Sequence, residues 1–179
     1  MLHIVIPKQE LWDEKTERFV NVKETKLSLE HSLVSISKWE AKWHKSFFST
    51  KDKTSEMMLD YIRDMTLTQN VNPDIFNYLT EQNILEIKEY IEDSHTATTI
   101  NNRSNTPRRE VITSELVYFW MVTWGIPFEC QKWHINRLLT LIEICGIKNQ
   151  TDKKMSRQEQ FSQQRALNAA RRKQFNTRG

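Results

Sequence analysis

Three observations predict a mainly α fold: a helical bundle with a small N-terminal β-hairpin-like unit and a basic C-terminal helix. Bulky apolar residues between positions 28 and 145 recur three or four apart, the spacing that lines one face of a helix. Alternation with period two is confined to the segment before Glu24. Basic residues gather late. Residues 148–179 hold nine Lys/Arg against two acidic residues, a net +7, whereas residues 1–147 hold 17 against 21, a net −4. The chain therefore divides into a helical domain with its β unit, 1–147, and a basic linker and tail helix, 148–179.

The elements follow in order. His3-Ile4-Val5-Ile6 is β-prone and ends at Pro7, and residues 18–23 alternate polar and apolar. These read as two strands, which need the helices for support, with Leu11 and Trp12 as the contacts. Ser28 is a candidate N-cap for a helix to about Lys45. Its face carries Leu29, Leu33, Ile36, Trp39 or Glu40, and Trp43, while Lys38, Glu40 and Lys42 stay in water. Thr54 or Ser55 caps a second helix holding Met57, Met58, Tyr61, Ile62 and Met65. Asn72-Pro73 opens a short helix through Ile75, Phe76 and Leu79, with proline at its first position. Thr80 caps the next, with Ile84, Ile87 and Ile91 inward.

Residues 93–109 are polar and form a loop of about 17 residues, long enough to be mobile or functional. Thr113 caps a helix over 114–124 that is apolar nearly all round and so belongs at the centre; Gly125 ends it in a left-handed cap. A long helix over 128–145 follows, with Phe128, Gln131 or Lys132, Ile135, Leu138, Leu139, Ile142 and Cys145 inward, and Gly146 stops it. Residues 148–155 are a linker. Ser156-Arg157-Gln158-Glu159 has capping-box form and starts the tail helix. That helix has only Phe161, Leu167, Phe175 and alanines as apolar residues, too few to hold it by burial.

The residues that chemistry needs are scarce. Three glycines, at 125, 146 and 179, build neither a phosphate-cradling loop nor a dinucleotide turn. Cys130 and Cys145 read as reduced core thiols. Cys130 with His134 is the best metal pair, but zinc takes about four ligands and nothing arranges the others. Carboxylate pairs such as Asp60 with Asp64 read as solvated helix faces. No catalytic, cofactor-binding or metal residue is assigned. The N-terminal segment has no basic n-region or cleavage site, and residues 116–128 are too short an apolar run to span a bilayer.

What remains is surface for another macromolecule. Trp39 and Trp43, one turn apart and flanked by Lys38 and Lys42, suit either core packing or a partner-binding face with indole anchors. Arg165, Arg171, Arg172 and Lys173 in the tail, with Lys153, Lys154, Arg157 and Arg178, suit phosphates or an acidic or amphipathic protein, or simply solvate the chain.

Several segments carry a family resemblance: Leu11 to Glu14, Leu29 to His44 with its two tryptophans, Tyr61 to Thr66, Gln131 to Ile142 and Ala166 to Gln174. Together these resemble small proteins of the siphophage structural module, named tail assembly chaperones or left uncharacterised. The resemblance spans almost the full chain. It implies a non-enzymatic chaperone in the host cytoplasm that binds the tape-measure protein, or another phage tail protein, before the tail tube polymerises. A homo-oligomer is compatible with it. The alternative reading is a small nucleic-acid-binding phage protein acting through the basic tail. The chain departs from the family pattern at Ser46, where a proline is expected, and in the 93–109 loop.

Overall fold

The computed structural model describes residues 1–13, 18–100, 111–151 and 157–175. It is 57% helical with two small two-stranded antiparallel sheets, the mainly α fold expected from the sequence. Two compact units are distinguished, 1–142 and 143–179.

The β unit is larger than two strands. It has β1 (Leu2–Ile6), β2 (Gln9–Asp13), β3 (Arg18–Val22) and β4 (Thr25–Leu29). β1 pairs with β4 and β2 with β3, both antiparallel. Leu2 opposite Leu29 and Gln9 opposite Val22 belong to one register, so the two ladders are successive stretches of a single hairpin. Pro7 lies at the interruption, where it has no N–H to give a ladder. Ile4, Ile6, Leu27 and Leu29 are buried on one face of the outer ladder while Val5 is exposed. β4 also receives the chain after the second helix: the Leu67 N–H donates to the Ser28 carbonyl at 2.8 Å, and the Glu30 N–H to the Met65 carbonyl at 2.9 Å.

This corrects the start of the first helix. Ser28 is a strand residue, and α1 (Leu33–Trp43) begins after Ser32 in a reciprocal capping box with Ser35. Strand pairing with residues far along the chain overrides the local helical spacing around Leu29. α1 ends at His44 in the left-handed region, φ 51°. α2 (Ser55–Met65) is capped by Thr54, a 3-10 helix (Pro73–Tyr78) by Asn72, and α3 (Glu81–Glu92) by Thr80. α4 (Ser114–Thr123) is capped by Thr113 and closes before Gly125 at φ 63°.

α4 is not central. Val117 and Met121 are fully buried, but Phe119 and Val122 are 62% and 63% exposed. The expected 128–145 helix is broken as well. A 3-10 helix (Phe128–Lys132) precedes α5 (Ile135–Thr151), which runs through Gly146 instead of stopping there. A helical glycine costs only about 1 kcal/mol relative to alanine, too little to end a helix by itself. α6 (Arg157–Phe175) forms the tail helix. The side chains of Leu11 and Trp12, residues 101–109 of the loop, residues 152–155 of the linker, Ser156 of the capping box, and Lys153, Lys154 and Arg178 lie outside the described residues.

The core of the first unit gathers Leu33, Ile36 and Trp39 from α1, Tyr61 and Met65 from α2, and Ile135 and Leu138 from α5. Each such apolar side chain contributes roughly 1.5–3 kcal/mol by burial.

Candidate functional site

Trp39 is fully buried and packs edge-on against Phe47, ring centres 5.3 Å apart. Its indole N–H donates to the Met57 carbonyl in the first turn of α2, at 2.9 Å. The indole therefore offers no area to a partner, and the expected paired-indole face reduces to Trp43. The Trp43 ring is partly exposed, lies 6.4 Å from Trp39 under the Lys42 ammonium, and has a buried Nε1 with no partner among the described residues.

What Trp39 does is back Phe47, which lines a groove. Phe47, held by Trp39 on one side and Tyr61 on the other (ring centres 4.2 Å apart), lines an open cavity of about 950 Å³. α2 contributes Met58, Leu59 and Ile62, the 3-10 helix after Asn72 contributes Phe76, and α3 contributes Ile84, Ile87 and Ile91. On each helix these residues stand three or four apart, so each presents one apolar stripe. Ile84 was expected inward, yet it is 51% exposed. Ile87 is buried as expected, so the stripe runs from the core to the groove, with Ile84 at its open end.

The rim is charged. Lys51, Lys53 and Lys88 line it together with Glu56 and Glu92. Lys53 is the most constrained of the cations. Its ammonium lies 4.3 Å from the Phe47 ring centre and donates to the Thr50 carbonyl at 2.7 Å. Burial pushes its pKa down. Among the described residues, no carboxylate pairs with it.

The same unit holds a polar spine, of which the sequence reading singled out only His134, as a metal candidate. His31 and His134 are buried, their rings edge to face at 5.0 Å. His134 stacks on His95 at 4.0 Å. The Tyr90 carbonyl accepts from His134 Nε2 at 3.0 Å, and His134 Nδ1 accepts the Asn136 N–H at 3.3 Å. Those two bonds fix a neutral imidazole with its proton on Nε2. His31 Nδ1 meets the buried Tyr61 hydroxyl. Burial, helped by the nearby His134, pushes the His31 pKa down to about 3, and burial also lowers His134. Asn136 donates to the Ile91 and Asp93 carbonyls at 3.2 and 2.7 Å, tying the end of α3 to the start of α5. The arrangement holds elements together and presents no open face for a substrate.

Two carboxylates expected in solvent are buried. Glu40 accepts the Phe47 N–H and the Ser114 N–H, each at 2.7 Å, joining α1 to the N-terminus of α4. Asp60 pairs with Lys42 and Arg63. Both are explained by ionic and backbone partners. Cys130 and His134 are not a turn apart on one helix, because the chain breaks between the 3-10 helix and α5. Among the described residues no group of three His, Cys, Asp or Glu side chains is placed to hold a metal.

In the second unit Arg165, Arg171 and Arg172 are exposed on α6, as are Phe161 and Leu167. Lys173 is in the same helix, and its side chain lies outside the described residues. No helix among the described residues is long and apolar enough to cross a membrane. Comparison with protein-family models, with curated proteins and with solved structures finds no match.

Proposed function

We propose that this chain is a non-enzymatic assembly chaperone that covers the apolar face of an amphipathic helical client. The observation that supports it is the open groove between α2 and α3, lined by Met58, Leu59, Ile62, Phe76, Ile84, Ile87 and Ile91, with Ile84 half exposed at its mouth. A groove of about 950 Å³ suits the protruding side chains of a helix laid along it. An apolar surface rimmed by charge marks an interaction site more often than a solvent boundary. The resemblance to siphophage tail assembly chaperones supplies the client: the long helical tape-measure protein, held in the host cytoplasm before tail-tube assembly.

Co-expression with the tape-measure protein tests this. The wild type is expected to keep the client soluble and co-purify with it. Ile84→Glu, which places a charge in the groove at an exposed site, is expected to lose both while remaining folded. A client that is soluble alone, or one that still co-purifies with Ile84→Glu, contradicts the reading.

A second reading rests on the exposed Arg165, Arg171 and Arg172 of α6. They suit phosphate contacts, and nucleic-acid binding through them would weaken steeply as salt rises. Absence of binding to DNA and RNA at low salt removes it.

A further inference from the structure

We infer that the groove selects a helix that carries carboxylates beside its apolar stripe, with Lys53 as the residue that reads them. This rests on the reading of the groove as a client site. Lys53 is a half-buried cation at the edge of an apolar wall, stacked on Phe47 and donating to the Thr50 carbonyl. An ammonium withdrawn from water is stabilised when an anion joins it, and among the described residues none does. Lys51 and Lys88 on the rim add to the same potential, and Glu56 and Glu92 offset part of it. A basic amphipathic helix would bring cations to Lys53 and gain nothing there. An acidic one places a carboxylate against Lys53 while its leucines enter between α2 and α3, so apolar contact supplies affinity and the charge supplies choice.

The test uses the full chain and two synthetic helices of about 20 residues, long enough to be helical. Both carry leucine at helical spacing; the remaining positions are Glu and Ala in one and Lys and Ala in the other. The acidic helix is expected to bind about tenfold more tightly at low salt, and the gap should narrow as salt screens the pairing. Lys53→Met is expected to cost the acidic helix about fivefold, and Lys53→Arg to restore most of it. Ile84→Glu should weaken both helices. Equal binding of the two, or an unchanged affinity in Lys53→Met, overturns the inference. So does a concentration-dependent dimer that Ile84→Glu abolishes, or saturable displacement of the acidic helix by dodecanoate, since either assigns the groove a different occupant. If neither helix binds while the tape-measure protein still co-purifies in an Ile84-dependent way, this inference falls and the chaperone reading stands. If the acidic preference and its Lys53 dependence hold but the client ignores the groove, the chaperone reading falls alone.

Discussion

The seam between α1 and α2 and the seam between α2 and α3 are built from similar apolar stripes; the first is filled, and the second buries Ile62 and Ile87 but leaves Ile84 exposed. α1 sends a tryptophan across: Trp39 reaches the first turn of α2, donates to the Met57 carbonyl and closes against Phe47. α3 has isoleucines at the corresponding spacing, and its one aromatic, Tyr90, turns elsewhere and donates to the Glu30 carboxylate at 2.7 Å. It leans on the sheet instead, where Asn83 donates to the Val5 carbonyl at 3.2 Å. The same helix α2 is thus welded on one side and open on the other. Apolar spacing alone does not make a core; side-chain length and a neighbour at the right distance decide whether a stripe is consumed in folding or left for a partner.

The largest contrast is expected from one substitution on each side of α2. Trp39→Ala should cost about 4 kcal/mol, measured by chemical denaturation, because it empties the filled seam and removes the indole hydrogen bond to Met57. Ile84→Glu should cost less than about 0.5 kcal/mol, since its side chain is largely in water already. Equal losses from the two would erase the distinction.

Acid should attack the filled side next. His31 is neutral in the folded chain with its pKa lowered from 6.5 to about 3, and His134 is also lowered. The unfolded chain binds more protons over that window, so stability is complete above about pH 6.5 and falls as pH drops below it. For His31 alone the loss between pH 6.5 and pH 4 is about 3 kcal/mol. His31→Phe should flatten the profile in that range; an unchanged slope would assign the acid sensitivity to other groups.

Glu40→Leu should cost roughly 2–3 kcal/mol, because it strands the Phe47 and Ser114 N–H groups in the interior and removes an anion from the start of α4. Phe47 belongs to both seams, so this change should also loosen the groove wall. The readout is denaturation together with near-ultraviolet circular dichroism. Lys53→Met comes last, with a stability change within about 0.5 kcal/mol, since it loses a half-exposed cation's stacking on Phe47 and its bond to the Thr50 carbonyl while sparing its desolvation.

The parts of the fold legible in the sequence are those set locally. Thr54, Asn72, Thr80 and Thr113 each accept a backbone N–H two or three residues ahead, a pattern contained within one turn. Gly125 takes a positive φ where a left-handed cap needs it. Ser28 was misplaced because its partners are residues 3, 67 and 68, far from its own helical-looking surroundings. Gly146 was misread as a stop; a Cβ there would meet nothing within 4 Å, so no packing reason for a glycine was hidden in the sequence. The candidate site was half legible. The stripes Met58–Ile62 and Ile84–Ile91 show in the spacing, and Trp39 was singled out. That Trp39 would be consumed while Ile84 stayed exposed depends on how α2 and α3 diverge, which no periodicity records.

Amide hydrogen exchange of the chain with and without the tape-measure protein tests the central claim most directly. Protection gained over Ser55–Met65 and Glu81–Glu92, with Leu33–Trp43 already slow in the free chain, is the expected result. Protection confined to α4 or α6, with α2 and α3 unchanged, would contradict the account.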